Sequence, residues 1–347
     1  MTTMMNAIVK MAPEAGAVYK KVEIPEHKAD EVLIKVKGAA VCGTDLHIHD
    51  WNSWAEGVGM NLPSVMGHEC SGEIVAVGED VKNLSVGDYV AVETHIPCGE
   101  CYQCENGEQH ICQNLKMFGI HTNGCFAEYA AVPAIVVRKI SKNIQPEVGA
   151  MLEPLGVGFR AGMDMQVSGK RVAMIGCGPI GLLAIASIKA LGAADIYAVD
   201  IIDERLELAK ELGASQCFNS KEIDVVDEIM KITDGVGVDA FIDASGNVHA
   251  INQGFKFLRK GGQVGLVGLP SKPISLDLGS DVVFKEAKIT GYHGRRMFET
   301  WTKMLNMLSN KSLYVDPVVT HVMPLEKYHE AVELLKQGKG SKIILIP

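Results

Sequence analysis

The densest chemistry in the 347-residue sequence lies in CGECYQCENGEQHIC, residues 98–112, whose thiols fall at Cys98, Cys101, Cys104 and Cys112. Two consecutive C-x-x-C steps, with a fourth thiol after a short loop, can wrap four sulfurs tetrahedrally around Zn2+. Iron–sulfur ligation uses comparable spacings, and a set of reactive or incidental cysteines is the plainer alternative. Four thiolates leave no open coordination position, so a zinc here would hold a loop in place and do no chemistry.

A second group is more dispersed. AAVCGTDLHIHDWNSW, residues 39–54, carries Cys42, Thr44, His47, His49 and Asp50, and GHECSGEIVAVG, residues 67–78, offers His68 and Glu69 beside glycines. A catalytic zinc needs about three protein ligands and an open position. Taken singly, a buried cysteine is more often an inert core residue and a histidine a satisfied structural one.

The third feature is GCGPIG, residues 176–181, between an apolar run and a helical pattern. In such a G-x-G-x-x-G, Gly176 permits a tight turn, Gly178 lets the backbone approach a pyrophosphate, and Gly181 lets helix and strand pack closely. The helix N-terminus supplies unpaired N–H groups to the phosphates. Asp200 ends the next apolar run at about the expected offset of 20 residues, where a carboxylate accepts from ribose hydroxyls and repels a 2′-phosphate. NAD is therefore expected over NADP. Arg205, close by, could bind a phosphate, stack near the adenine or be an ordinary surface residue.

These groups need two kinds of scaffold. EVLIKVKGAAV, GEIVAVG, DYVAVE and FAEYAAV are short β-branched runs separated by Gly, Asp, Asn and Pro. Near residue 150 the texture changes. RVAMIG reads as a strand buried on both faces, and PIGLLAIASIKALGA as a helix with Pro at its start and Gly after its end. DIYAVD, VDAFIDAS and GGQVGLVGL read as strands, DERLELAKELGA and EIDVVDEIMKIT as helices, which makes βαβ units and a parallel sheet. Two more helical stretches, RRMFETWTKMLNMLS and LEKYHEAVELLKQG, precede a closing strand, KIILIP.

Length alone predicts two domains. With 47 % hydrophobic and 22 % charged residues, the composition is that of a globular protein. A net charge of −9 without any block of Lys or Arg argues against nucleic acid or an anionic membrane as the main partner. The N-terminus lacks the pattern of a signal peptide, and no apolar run approaches the roughly 20 residues that span a bilayer. A cytoplasmic protein is expected, in which clustered cysteines bind metal rather than form disulfides.

Taken in order, Cys42-x-Thr44-x-x-His47, Gly67-His68-Glu69-x-x-Gly72, the four-cysteine window and the dinucleotide fingerprint resemble the zinc-dependent medium-chain alcohol dehydrogenase family over essentially the whole chain. The resemblance implies an α/β protein: a GroES-like β-rich catalytic domain, residues 1–155 completed by 295–347, plus a doubly wound parallel Rossmann domain, 156–294. It implies two zinc ions, one structural on Cys98, Cys101, Cys104 and Cys112, and one catalytic on Cys42, His68 and Glu69. Catalytic zinc would lower the pKa of the substrate hydroxyl, and NAD+ would take the hydride. Thr44 and His47, side by side on a loop, would carry the proton outward. Glu153, in MLEPLGVG, stands where relatives place a further carboxylate or thiolate near the metal. It would either ligate zinc in some states or assist proton movement, the plain alternative being a carboxylate favoured at a helix N-terminus. His95 matches a histidine associated with substrate selection. For the cofactor the resemblance carries over Ile180, Asp200, Arg205, Val267, Gly268 and Leu269, with Tyr292 and His293 where relatives often carry Ile-Tyr. Arg295 and Arg296 could meet a pyrophosphate or a substrate carboxylate, or simply open a helix.

Trp51 and Trp54, with GRRMFETW at residues 294–301, resemble the branch of the family that oxidises the β-hydroxyl of L-threonine to 2-amino-3-oxobutanoate. A polyol or 2,3-butanediol-type zinc dehydrogenase is the alternative. The resemblance also implies a homotetramer.

Overall fold

The computed structural model describes residues 3–270 and 272–347. The chain forms two compact units, Met1–Glu153 with Val319–Pro347, and Pro154–Val318.

The first unit is β-rich. Its central strand, Glu31–Ala40, turns Val32, Ile34 and Val36 inward while Lys35 and Lys37 face solvent, the period of two that its sequence shows. One edge pairs antiparallel with Cys70–Val77. The other edge is shared between Tyr129–Pro133, which pairs with its first half, and Lys342–Ile346, which meets Ala39 and Ala40. Tyr89–Val92 and Val137–Lys139 extend the sheet beyond Cys70–Val77, and Val319–Pro324 lies beyond Lys342–Ile346. A smaller sheet orders Val18–Glu23, Met4–Lys10 and Ser64–Val65. Ile8, Ile34, Ile74, Val92, Phe126, Tyr328 and Leu345 share one apolar core, so the last residues of the chain are built into the interior of the first.

The second unit carries a six-stranded, all-parallel sheet ordered Gln216–Asn219, Asp195–Asp200, Arg171–Ile175, Val238–Asp243, Leu258–Leu266, Lys288–Gly291. This is the doubly wound 3-2-1-4-5-6 order, whose direction of winding reverses between Arg171–Ile175 and Val238–Asp243 and opens a crevice at their C-terminal ends. The helix Pro179–Ala190 buries Leu182, Leu183, Ile185 and Ile188 completely. The helix Val225–Ile232 starts where the Asp224 carboxylate accepts from the N–H groups of Val226 and Asp227.

Two expectations are corrected. The stretch after Cys42 is a helix, Gly43–Asp50, and not a loop; only Asp45 and Ile48 on it are buried, so no apolar stripe betrays it. Residues 295–318, expected with the first domain, fall in the second unit. Arg160 donates to the His293 carbonyl at 2.9 Å, Arg295 lies over Gly156, and Arg296 pairs with Asp164 at 3.2 Å, tying this segment to the helix Leu152–Asp164. Both arginines thus make contacts within this unit.

Candidate metal centres and dinucleotide crevice

Cys42 is the N-cap of the helix Gly43–Asp50, and Gly67 precedes His68 and Glu69 at the entry to the strand Cys70–Val77. Gly67 has φ +91°, and a Cβ there would sit 2.4 Å from the Phe126 ring, so no other residue fits. The Cys42 sulfur, a His68 ring nitrogen and a Glu69 carboxylate oxygen lie within 4.8 Å of one another. Both His68 and Glu69 are buried.

Asp45, which sequence reasoning passed over, organises this triad. One carboxylate oxygen accepts from the Cys42 N–H at 2.9 Å, and the other faces His68 Nδ1 at 3.4 Å. That partner leaves Nε2 as the nitrogen for a ligand, the usual support for a metal-bound imidazole. Burial works against a charged His68, yet Asp45 and Cys42 outweigh it and hold its pKa well above the ordinary value. A donor set negative enough to hold a proton in the interior suits a divalent cation, and thiolate, imidazole and carboxylate suit zinc.

Lys342 was also missed. It is buried, and its ammonium lies 2.5 Å from Glu69 Oε2 and donates to the Val41 carbonyl at 3.2 Å. Burial pushes the Glu69 carboxyl up and Lys342 pulls it back, while Glu69 raises the lysine's pKa despite its burial. The signal was a single lysine opening the apolar run KIILI.

In the cysteine lobe the four sulfurs also lie within 4.8 Å of one another. Cys101 is 3.5 Å from Cys104 and 3.7 Å from Cys112, close to the ~3.8 Å between sulfurs that a tetrahedron with Zn–S bonds of ~2.3 Å requires. Cys101 caps the short helix Tyr102–Glu105, and the 3₁₀ turn Gln109–Ile111 delivers Cys112. The N–H groups of Cys98 and Asn114 both point at the Cys112 sulfur at 3.3 Å. The N–H of Cys104 brings the Cys101 thiol down to about 6, whereas burial pushes Cys104 up to about 12.

Thr44 and His47 stand three residues apart on one helix and so share a face. His47 is exposed; its Nδ1 lies 2.7 Å from Asn52 Nδ2 and its ring 5.9 Å from Trp54. His49 instead packs on Tyr328, whose hydroxyl is 3.3 Å from Nδ1, and Asp50 pairs with Lys336. His95 is buried with Nδ1 2.7 Å from Glu93, and these two form a third cluster with Glu153.

In the second unit, a crevice of ≈ 520 Å³ is lined by Gly176, Gly178, Asp200 and Arg205 together with Ser220 and Ser245. Gly178 caps the helix Pro179–Ala190 with open space where a Cβ would stand. Gly181 is required for packing, since its Cβ would lie 1.9 Å from the Gly176 carbonyl oxygen. Asp200 is buried and accepts from the N–H groups of Cys177 at 2.6 Å, Ile201 at 2.7 Å and Ile202 at 3.1 Å. Ile180, Val267, Gly268, Leu269, Tyr292 and His293 do not line this crevice. The Gly268 N–H bonds to the Asp243 carbonyl at 2.9 Å, a Cβ there would sit 2.4 Å from the Gly246 nitrogen, and Leu269 is 85 % exposed. The Tyr292 phenol is turned inward beneath Arg160, and burial pushes it up to about 12. The sequence reading missed Asp243, whose carboxylate accepts from Ser245 and Gly246 and so shapes the turn that lines the crevice.

Comparison with known proteins agrees with both halves of this arrangement. Residues 28–142 match the alcohol dehydrogenase GroES-like domain, and residues 179–310 match the zinc-binding dehydrogenase domain. The L-threonine 3-dehydrogenase of Pyrococcus furiosus is 44 % identical over 100 % of this chain and 99 % of its own. The crystal structure of 2R,3R-butanediol dehydrogenase from Bacillus subtilis superimposes with a TM-score of 0.90 at 32 % identity, covering 99 % of each chain. A short chain alcohol dehydrogenase from E. coli CFT073, complexed with the cofactor NADH, gives a TM-score of 0.90 at 28 % identity, covering 99 % of this chain and 100 % of its own. With a thiolate–imidazole–carboxylate triad in a GroES-like unit and a glycine-rich turn in a doubly wound one, the chain belongs to the family of zinc-binding alcohol dehydrogenases.

Proposed function

We propose that this protein oxidises the β-hydroxyl of L-threonine to 2-amino-3-oxobutanoate, with NAD+ reduced to NADH and a proton released. The observation that carries the substrate is the 44 % identity, end to end, to an L-threonine 3-dehydrogenase. The chemistry is supported by the donor triad, in which three protein ligands would leave zinc an open position.

In this reading Cys42, His68 and Glu69 hold the catalytic zinc, and Cys98, Cys101, Cys104 and Cys112 hold a structural one. Zinc, when bound, lowers the pKa of a substrate hydroxyl toward neutrality. The chain's own groups then handle the proton: Thr44 through its hydroxyl and His47, exposed on the same helical face, through its imidazole. Glu153, whose charge acts on Glu69, is a further proton-handling carboxylate, and His95 meets the substrate. Gly176, Gly178 and Gly181 shape the turn for the pyrophosphate, with Ile180 in the same turn. Asp200 spends three acceptor sites on backbone N–H groups, which leaves about one of its four for a ribose hydroxyl. Its charge opposes a 2′-phosphate, so NAD is favoured. Arg205 lines the adenosine end. Val267, Gly268, Leu269, Tyr292 and His293 belong to the cofactor side on the family resemblance alone, as do a homotetrameric assembly and a cytoplasmic location.

The likeness to 2R,3R-butanediol dehydrogenase supports a second reading, a diol as substrate. NADH formation at 340 nm on zinc-loaded protein, with L-threonine, sorbitol and 2,3-butanediol in parallel, separates the two. Preference for L-threonine is expected; activity on the diols alone would replace the substrate and keep the metal chemistry.

A further inference from the structure

The run Glu93-Thr94-His95 is anchored along its backbone. The Glu93 N–H donates to the Val136 carbonyl at 2.8 Å, and His95 pairs with Met117 in a short antiparallel ladder. Between them the Thr94 hydroxyl donates to the carbonyl of His68 at 3.0 Å, fastening the run to a residue of the metal triad. Such anchoring fixes where the Cα of His95 lies and leaves the imidazole to be oriented by its own partners.

The chain bends at Thr94, between the strands Tyr89–Val92 and His95–Ile96, and brings the side chains of Glu93 and His95 together. Oε1 of the fully buried Glu93 accepts from the His95 backbone N–H at 3.0 Å and lies 2.7 Å from ring Nδ1. A carboxylate that already accepts from the backbone N–H at Oε1 is matched by an Nδ1 that carries its proton toward the same oxygen. Arg138, on the neighbouring strand Val137–Lys139, places its charge opposite Glu93. A Glu153 oxygen lies within 4.8 Å of Glu93 and of a His95 nitrogen, and Glu153 acts in turn on Glu69 and Lys342. The cluster therefore adjoins the metal triad electrostatically while sharing none of its ligands.

We propose that Glu93 is a positioning residue, which fixes the ring plane and the Nδ1–H tautomer of His95 so that Nε2 is the atom presented to the substrate. The proposal rests on the reading above in which His95 meets the substrate. It adds the reason that His95 can discriminate: a ring locked by a buried carboxylate offers one nitrogen in one direction, whereas a freely rotating ring offers either.

Imidazole ¹⁵N–¹H correlation spectra of zinc-loaded protein test the tautomer directly, with His95 assigned by its loss in His95→Ala. The wild type should show the proton on Nδ1, and Glu93→Ala should show mixed tautomers. In the same variant kcat/KM should fall about 10–100-fold, by analogy with removal of the carboxylate behind a metal-bound imidazole, with zinc content and NADH binding unchanged. Glu93→Gln keeps an acceptor oxygen for the same two donors and should recover most of that loss. A wild-type proton on Nε2, or unchanged kcat/KM in Glu93→Ala, would overturn the proposal. So would an equal loss in both variants accompanied by loss of zinc. If the wild type ignores L-threonine and turns over a diol, the substrate reading fails; the spectra and the same two variants, assayed on that diol, still decide the role of Glu93.

Discussion

Within the first unit, the four thiols of the lobe come from residues 98–112 and reach one another through turns, one short helix and N–H···S contacts. The three donors of the triad come from Cys42 and from residues 68–69, with Asp45 against His68 and Lys342 against Glu69. A local site can supply all four ligands from itself and so closes around its metal. A site assembled across a fold can stop at three, because buried neighbours rather than a fourth ligand hold the donors in place. The open position that catalysis needs is thus bought with long-range structure.

The strongest way to break this contrast is to remove one sulfur from each site. Cys42→Ser should abolish turnover while the lobe keeps its metal, read as one zinc per chain by elemental analysis. Cys104→Ser should release the lobe zinc and lower thermal stability, with the remaining folded protein still active. Equal loss of activity and of both metals in the two variants would mean that the sites are one cooperative system.

A smaller effect tests the supporting charge. Lys342→Met leaves the Glu69 carboxylate buried without its cation, a change that costs about 3–5 kcal/mol. Urea denaturation of the metal-free protein, in which no zinc offsets the Glu69 charge, measures it. Asn114→Ala, beside the exposed lobe, should stay within about 0.5 kcal/mol. Comparable losses would show that the lobe also leans on its surroundings.

The smallest effect is in proton counts. With the Cys101 thiol brought down to about 6, that sulfur is already ionised at pH 8, above its pKa, whereas Cys104, raised to about 12, is protonated there. Zinc uptake by the metal-free lobe in weak buffer at pH 8 should then release fewer than four protons. Release of all four would mean that the N–H donors do not precharge the site.

The same contrast explains what the sequence could show. The cysteine spacing and the GCGPIG turn were legible because their partners are neighbours in the chain, and the strands Arg171–Ile175 and Asp195–Asp200 because both faces are buried. Asp45 looked like one more polar residue in a polar stretch, and its helix lacked an apolar stripe. Lys342 acquires meaning only through the sheet pairing that places it beside Glu69, whereas Glu93, two residues from His95, passed unread because nothing in its type or spacing marks it as that histidine's partner. The edge strands Gln216–Asn219 and Lys288–Gly291 passed unread, both being four residues long and the second exposed throughout.

The insertion of Lys342–Ile346 beside the strand Glu31–Ala40 also sets an order of events during synthesis. The whole second unit is made between these two strands, and its local βαβ units can fold as they emerge. The first unit must wait for a partner encoded some three hundred residues later, a separation visible in the pairing of Ala40 with Ile344. Until then Glu69 has no ammonium beside it, and the strand edge at Ala39–Ala40 is open to other chains. The triad of Cys42, His68 and Glu69 is accordingly among the last parts of the nascent protein to mature, and the lobe, whose four thiols and Asn114 N–H all fall within residues 98–114, can be complete while translation is still under way.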